Sequence, residues 1–229
     1  MKTIGIIGGI GPESTVDYYR GIITRYRDLT GDDNYPRILI DSINMTAMLA
    51  LVSGRDYDAL VAMLLDSIGA LARAGAEIAA IASNTPHLVF DAVSARSPLP
   101  LVSIVEATAE KAKSLGIRKA LLIGTAFTMA SSFYRDCFTR YGIPVIVPDA
   151  PGQVAIHGII FPELEEGIVV PEKKKRLLDI CNRIIEGEGA DGVILGCTEL
   201  PLMVKDGDLA VCVLNTVRIH VEAIVSAII

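Results

Sequence analysis

The feature that most constrains this chain is an internal repeat. The segment Gly75–Pro86, GAEIAAIASNTP, recurs without a gap as Gly189–Leu200, GADGVILGCTEL, so that Ser83 corresponds to Cys197. A second matched pair, GIIGG and LLIGT, precedes each copy at a similar distance. Repetition on this scale indicates two similar structural units, and it bounds the fold before any single residue is considered.

Short apolar runs bounded by glycine or proline alternate with longer segments of helical period, which is typical of βαβ units around a parallel sheet. The expected fold class is therefore α/β, with two similar Rossmann-like domains whose parallel-dominated sheets are related by a pseudo-twofold axis. We expect an N-terminal half of residues 1–100 plus 215–229 and a C-terminal half of residues 101–214. The active site is expected in the cleft between these two domains.

The same periodicities predict the individual elements. Predicted strands are Thr3–Gly8, Arg37–Ser42, Ile78–Ala82, Leu101–Ser103, Lys119–Ile123, Val145–Val147, Gly192–Leu195 and Ala210–Leu214. Predicted helices are Glu13–Thr30, Tyr57–Ala74, His87–Ala95, Glu106–Leu115, Met129–Tyr141, Gln153–Glu166, Glu172–Glu188 and Val217–Ile229.

Composition narrows the class of protein. Hydrophobic residues make up 51% of the 229 residues and charged residues only 21%, which favours an apolar interface and a homodimer. The net charge of −6 argues against a nucleic-acid partner. Glycines interrupt the apolar start of the chain, and no apolar run approaches the ~20 residues that span a bilayer. We expect a cytoplasmic protein with a small-molecule partner and no membrane association.

The four cysteines include no C-x-x-C pair and accompany no histidine cluster, so neither a disulfide framework nor a metal site is indicated. Cys137, Cys181 and Cys212 are expected to be small buried hydrophobic residues. Cys197 directly follows an apolar strand, where open α/β sheets place their ligands. Free backbone N–H groups at a strand-to-helix turn stabilise a thiolate, which would make Cys197 a usable base near neutral pH. The alternative is an inert, buried cysteine.

Polar residues surround the matching position of the first half. Asn84 and Thr85 follow Ser83 and offer an amide and a hydroxyl that suit a carboxylate or an enolate-like oxygen; the alternative is a helix cap. The turn Gly8–Thr15, GGIGPEST, lacks the dinucleotide-binding spacing, but it places Ser14 and Thr15 at a helix start. Thr125, in GTAFT, occupies the corresponding position after the first strand of the second half. The three histidines are expected to satisfy structural hydrogen bonds.

Four motifs together resemble the aspartate/glutamate racemase family, whose members need no pyridoxal phosphate. These motifs are GGIGPEST, SNTPH at Ser83–His87, GTAFTM at Gly124–Met129 and GCTELP at Gly196–Pro201, and they span almost the whole chain. The resemblance implies two similar α/β domains, dimerisation and an amino acid held between two cysteines at the strand ends. One thiolate removes the α-proton and the other, as a thiol, reprotonates the opposite face.

Carried over by motif, Cys197 is one of these two residues, whereas Ser83 replaces the other cysteine. Asn84, Thr85, Thr125 and Thr198 match positions that bind the α-carboxylate and developing charge, and Ser14 and Thr15 line the same pocket. A serine hydroxyl is a far weaker acid than a thiol, so the resemblance implies an asymmetric or impaired isomerase acting on aspartate or glutamate. Arg55 and Lys173 are the candidate cations for the side-chain carboxylate.

Three alternatives remain open at this stage. A single active cysteine also suits a decarboxylase that protonates one face of a carbanion. It equally suits a maleate-type cis–trans isomerase in which the thiol adds to an alkene. The third alternative is a homologue that binds an amino acid without catalysis.

Overall fold

The computed structural model describes residues 1–31 and 33–229 and divides the chain into two compact units. One unit comprises Met1–Ile104 together with Val217–Ile229, and the other comprises Val105–Thr216. In chain order the elements are β1 (Ile4–Gly8), α1 (Pro12–Thr30), β2 (Ile38–Ser42), α2 (Met45–Ser53), α3 (Tyr57–Arg73), β3 (Ile78–Ile81), a 3-10 helix (Thr85–Val89), α4 (Phe90–Ser94), β4 (Leu101–Val102), α5 (Ile104–Ser114), β5 (Ala120–Ile123), α6 (Ala126–Ala130), α7 (Phe133–Arg140), β6 (Val145–Ile146), α8 (Ala150–Ile159), a π-helical segment (Ile160–Leu164), α9 (Pro171–Glu188), β7 (Gly192–Leu195), α10 (Leu200–Met203), β8 (Cys212–Asn215) and α11 (Thr216–Ile228).

Both units contain a four-stranded sheet with the same topology. The strand order is β2-β1-β3-β4 in the first unit and β6-β5-β7-β8 in the second, and every strand pairing is parallel. The two central strands of each sheet are buried along their whole length, as helices covering both faces require. The predicted α/β class with parallel sheets and flanking helices is confirmed. All eight predicted strands are present; Gly192–Leu195 has the predicted bounds, and the other seven differ at one or both ends by one or two residues.

The sequence repeat has a structural cause at the start of the paired central strands. The Glu77 carboxylate accepts a hydrogen bond from the backbone N–H of Thr3 at 2.7 Å, next to β1. Asp191, its partner in the repeat, accepts from the backbone N–H groups of Arg118 and Lys119 at 2.9 Å, next to β5. Each acidic residue thus satisfies backbone donors where a strand begins, which is why an acid recurs there.

Each unit has its own apolar core. In the first unit, β1 and β3 pack with α1 and with the buried face of α11, which supplies Val221, Ile224, Val225 and Ile228. In the second unit, β5 and β7 pack with α8, the π-helical segment and α9. Among the described residues, no helix combines the length and the apolar character needed to cross a membrane.

Several local expectations were wrong for identifiable reasons. The predicted helix Met129–Tyr141 is broken into α6 and α7, because Ser131 has an extended backbone. The Ser131 hydroxyl donates a hydrogen bond to the Phe127 carbonyl. Helix α2 was not predicted, since its sequence MTAMLALVS is apolar on nearly every side and shows no helical period. Cys212 was expected to be buried, but it is exposed because β8 is an edge strand of its sheet.

Candidate active site

Cys197 lies two residues beyond β7 in the turn that leads to α10, and only 6% of it is exposed. Its Sγ donates a hydrogen bond to Oε2 of Glu199 at 2.9 Å. The Thr198 hydroxyl donates to the other carboxylate oxygen, Oε1, at 2.7 Å. Glu199, itself 9% exposed, is therefore held by both residues that precede it and faces the thiol directly.

This environment keeps Cys197 protonated. Burial raises the pKa of the Cys197 thiol well above its ordinary value, and the negative charge and hydrogen bond of Glu199 raise it further, with a smaller contribution from Glu165. The expectation that the turn would stabilise a thiolate is wrong for this arrangement. Backbone N–H groups near a strand end stabilise a thiolate too little to offset its loss of hydration and its repulsion by two neighbouring carboxylates.

Glu165 completes an acidic cluster around the thiol. It follows the π-helical segment, and its carboxylate lies with the Glu199 carboxylate and Cys197 Sγ so that all three groups are within 4.8 Å of one another. Burial raises the pKa of Glu165 to about 7, and the charge of Glu199 contributes to the same shift. Near neutral pH, Glu165 is therefore present in both its protonated and its ionised form.

The acidic cluster is also the only group of metal-type ligands within the described part of the chain. It contains one thiol and two carboxylates, and acidic groups often lie this close without a metal ion. In this arrangement Sγ acts as a hydrogen-bond donor, whereas a metal would require the thiolate. We assign no metal to the cluster.

Thr125 lies at the end of β5 in the same unit and caps α6. Its hydroxyl accepts a hydrogen bond from the backbone N–H of Thr128 at 3.3 Å and lies 3.1 Å from the Thr128 hydroxyl. The next backbone N–H, that of Ala126, points to Nδ1 of His157 at 3.5 Å. Thr125 is half-buried and is positioned by its helix-capping role.

Ser83 and Asn84 occupy the matching strand end of the first unit, and both are buried. Ser83 follows Ala82 at the end of β3, and its carbonyl accepts a hydrogen bond from Nδ1 of His87 at 2.9 Å. The Asn84 side chain makes no capping hydrogen bond to the 3-10 helix that begins at Thr85. The alternative interpretation of Asn84 as a helix cap therefore does not apply to its amide. Thr85 is half-buried at the start of that helix.

His87 fixes this turn as a neutral imidazole. Because Nδ1 donates to the Ser83 carbonyl, Nε2 is left to accept the backbone N–H of Ile104, at 3.2 Å. Burial lowers the pKa of His87 to about 3, and the neighbouring His220 lowers it as well. His220 is also neutral, donating to the Val102 carbonyl and accepting from the Tyr18 hydroxyl. The structural role expected for these two histidines is confirmed.

Ser14 and Thr15 join the same region through the glycine-rich turn. The Ser14 hydroxyl donates to the carbonyl of Ala82 at 3.2 Å, next to Ser83. The Thr15 hydroxyl accepts the backbone N–H of Gly9 at 2.8 Å and donates to the Gly11 carbonyl at 3.0 Å. Gly9 has a φ of +80°, a conformation that L side chains rarely adopt. Both hydroxyls shape the turn, and their contact with a substrate stays a prediction.

The sequence model of the Asp/Glu/Hydantoin racemase family matches residues 7–224. The chain belongs to this family. A racemase called RacX from Bacillus subtilis (strain 168), described as a broad specificity amino-acid racemase, is 26% identical over 204 residues, covering 86% of this chain and 85% of its own length. The family-model match at residues 7–224 reaches across both units and includes all four motifs.

Solved structures agree with this membership. An aspartate racemase homologue from Pyrococcus horikoshii OT3 is 40% identical, with a TM-score of 0.88 and 99% coverage of both chains. A candidate Asp/Glu racemase from Yersinia pestis is 35% identical, with a TM-score of 0.92 and the same coverage. The aspartate racemase of Picrophilus torridus is 21% identical with a TM-score of 0.76, which shows a shared fold.

Within this family frame, the structure brings the predicted residues together in two separate sets. Ser14, Ser83 and Asn84 lie together in the first unit, and Cys197 and Thr198 lie together in the second. That Ser83 and Cys197 flank one substrate from opposite sides stays a prediction. Glu165 is the member of the acidic cluster that the sequence did not reveal, since it belongs to none of the four motifs and precedes Cys197 by a whole helix and strand.

Proposed function

We propose that the protein is a cofactor-independent racemase that removes and replaces the α-proton of an amino acid. In this proposal Cys197 is the principal acid and base, and Ser83 is the impaired partner on the opposite face. Family membership supports the reaction class. The observation that carries the role of Cys197 is the hydrogen bond from its thiol to Glu199, because this carboxylate can accept the thiol proton.

The proposed proton transfers balance as follows. The thiol proton of Cys197 moves to Glu199, and the resulting thiolate takes the α-proton of the substrate and becomes a thiol again. The planar carbanion then receives a proton from the Ser83 side, donated by the hydroxyl or relayed through it. Water returns a proton to the Ser83 side and takes the one held by Glu199, which restores the starting enzyme. In the reverse direction the Cys197 thiol donates its proton directly, in the protonation state that its surroundings favour.

The serine makes the two faces unequal. A serine alkoxide is essentially unpopulated near neutral pH, so removal of the α-proton on the Ser83 side is slower than on the Cys197 side. Because two enantiomers are equally stable in water, the two directions must share one value of kcat/KM. The asymmetry is therefore expected in kcat and KM taken separately, and in proton exchange that occurs without inversion.

Acidic amino acids are the first substrates to test. The family resemblance predicts aspartate or glutamate, and the solved relatives named for aspartate support that choice. We propose that Asn84, Thr85, Thr125 and Thr198 bind the α-carboxylate and the developing charge, with Ser14 and Thr15 beside them. Of the two candidate cations for the side-chain carboxylate, Lys173 is paired with Glu163 at 2.6 Å, and Arg55 lies on an exposed turn. The relative described as broad in specificity makes neutral and basic amino acids necessary controls.

The deciding experiment follows the α-proton by NMR in D₂O, with each enantiomer of aspartate, glutamate, alanine and lysine. Exchange is expected with at least one enantiomer, and Cys197→Ala should abolish it. Ser83→Cys should accelerate exchange from the slower enantiomer, because a thiol replaces the hydroxyl. Absence of exchange with every amino acid, in both the wild type and Ser83→Cys, would remove the racemase proposal.

A second candidate is favoured by the protonated state of Cys197. A thiol kept neutral by burial and two carboxylates is suited to protonating one face of a carbanion, as a decarboxylase requires. Release of carbon dioxide from a disubstituted malonate, lost in Cys197→Ala, would identify that reaction. Conversion of maleate would identify the isomerase, and calorimetric binding of an amino acid without turnover would identify a binding protein.

The proposed homodimer and its cytoplasmic location need separate measurement, the first by analytical ultracentrifugation.

A further inference from the structure

Glu165 lies beside the Cys197 thiol, where the proposed function places the substrate, although it belongs to none of the four motifs. Its backbone N–H donates to the Ile160 carbonyl at 3.1 Å, and this bond fixes the turn that carries the side chain. The preceding residue, Leu164, is fully buried in the core that also contains Leu200 of α10. Packing of these two elements therefore brings the Glu165 carboxylate beside Glu199 and the Cys197 thiol.

The charges of this cluster are unbalanced. Two carboxylates and a thiol lie within 4.8 Å of one another. Among the described residues, the ion pairs of the neighbouring segments join Lys173 to Glu163 and Lys174 to Asp208, and none of them reaches Glu165 or Glu199. Carboxylates that share a desolvated space are stabilised by a nearby cation, and half-buried Glu165 remains accessible to one that arrives with a ligand.

We propose that Glu165 binds a protonated nitrogen of the substrate. This inference rests on the proposed function, because it places the substrate against Cys197. An ammonium group suits the cluster, since it carries a positive charge and three hydrogen-bond donors for carboxylate oxygens. The nitrogen is either the α-ammonium group that every amino acid carries or the cationic side chain of a basic amino acid.

The same contact would couple binding to catalysis. The negative charges of Glu199 and Glu165 both hold Cys197 in its protonated form. A substrate cation beside Glu165 offsets part of that field and so makes the thiolate easier to form once the amino acid is in place. The base would then be activated by its own substrate, and the empty site would keep an unreactive thiol.

The variant Glu165→Gln tests this proposal, and Glu166→Gln is its matched control, since Glu166 is the adjacent glutamate and is exposed. The rate of α-proton exchange is measured against concentration for L-aspartate, L-alanine and L-lysine. We expect Glu165→Gln to raise KM by about tenfold or more, the loss expected for a charge-assisted hydrogen bond. The control should leave KM unchanged, and kcat of Glu165→Gln should stay the same or rise because one carboxylate no longer opposes the thiolate.

The pattern across the three amino acids identifies the nitrogen. An equal rise in KM for all of them supports the α-ammonium group, whereas a rise confined to L-lysine supports the side-chain cation. An unchanged KM for every amino acid that the wild type turns over overturns the role of Glu165. These comparisons leave the racemase proposal intact whatever their result.

Calorimetry keeps the two proposals distinguishable. If the wild type exchanges no α-proton, the racemase proposal fails, and the role of Glu165 is decided by titrating wild type and Glu165→Gln with the same three amino acids. A Kd that rises about tenfold in the variant supports Glu165 as a binding residue. Equal Kd values, or no binding to either protein, overturn it.

Discussion

The thiol of Cys197 and the carboxylate of Glu199, two residues apart in one turn, share a hydrogen bond of 2.9 Å in which sulfur is the donor. The bond defines a resting state in which the cysteine carries its proton and the glutamate can receive it. Glu199 therefore adds to burial in holding the proton on the Cys197 thiol, and its contribution can be removed by substitution.

Glu199→Gln should separate acidity from catalysis. Removing the carboxylate charge lowers the pKa of Cys197, so alkylation of this thiol by iodoacetamide should begin at a lower pH than in the wild type. The rate of α-proton exchange should nevertheless fall about a hundredfold, the lower range for loss of a general base. A Cys212→Ser background removes the exposed thiol that would otherwise react first. Unchanged alkylation would mean that Glu199 does not hold the proton on sulfur.

Glu165 should give binding a dependence on pH. Its pKa is raised to about 7 by burial and then by Glu199, and only the ionised form attracts a substrate cation. Below this pKa, KM should rise by up to about tenfold per pH unit and should level off above it. Among the described residues, the acidic groups that cluster with Glu165 are Glu199 and Cys197, and ionisation of the thiol is expected to alter kcat. In Glu165→Gln, KM should be flat over the same range; a slope that persists there assigns the titration to another group.

His87 and His220 should make the fold sensitive to mild acid. Burial lowers the pKa of His87 to about 3 and that of His220 to about 4. The unfolded chain binds a proton on each imidazole as the pH falls through about 6.5, whereas the folded protein binds none until about 4, so falling pH favours unfolding. From about pH 7 to about pH 5, each histidine should reduce the free energy of unfolding by about 2 kcal/mol.

Urea unfolding at a series of pH values measures this effect. The stabilising contribution of the neutral histidines is complete above about pH 6.5 and is lost progressively below it. A free energy of unfolding that stays constant between about pH 7 and about pH 5 would contradict buried neutral imidazoles.

Gly196, which precedes Cys197, should not tolerate a side chain. A Cβ atom at this position would lie 2.8 Å from Cδ1 of Leu122 and 3.1 Å from the backbone carbonyl of Ile123. Gly196→Ala should cost about 1–3 kcal/mol of stability, the usual effect of overpacking, and should displace the turn that carries Cys197. Gly187→Ala is the control in open space and should stabilise α9 by about 0.5–1 kcal/mol. Equal thermal unfolding temperatures for the two variants would refute the crowding argument.

The sequence predicted best what depends on local pattern. Apolar runs between glycines predicted all eight strands, and the repeat led to two sheets of the same topology. Prediction failed where tertiary packing decides the outcome. The acidity of Cys197 depends on how much water is removed and on where Glu165 lies, and neither follows from the spacing of the GCTELP motif. The exposure of Cys212 depends on β8 lying at a sheet edge.

The position of α11 affects how the protein can be made. Its buried face completes the core of the first unit, and its His220 bonds Tyr18 and Val102, both synthesised much earlier. The second unit is continuous in sequence and interrupts the first. The core of the first unit can therefore be completed only after the whole second unit has been synthesised and α11 has followed it.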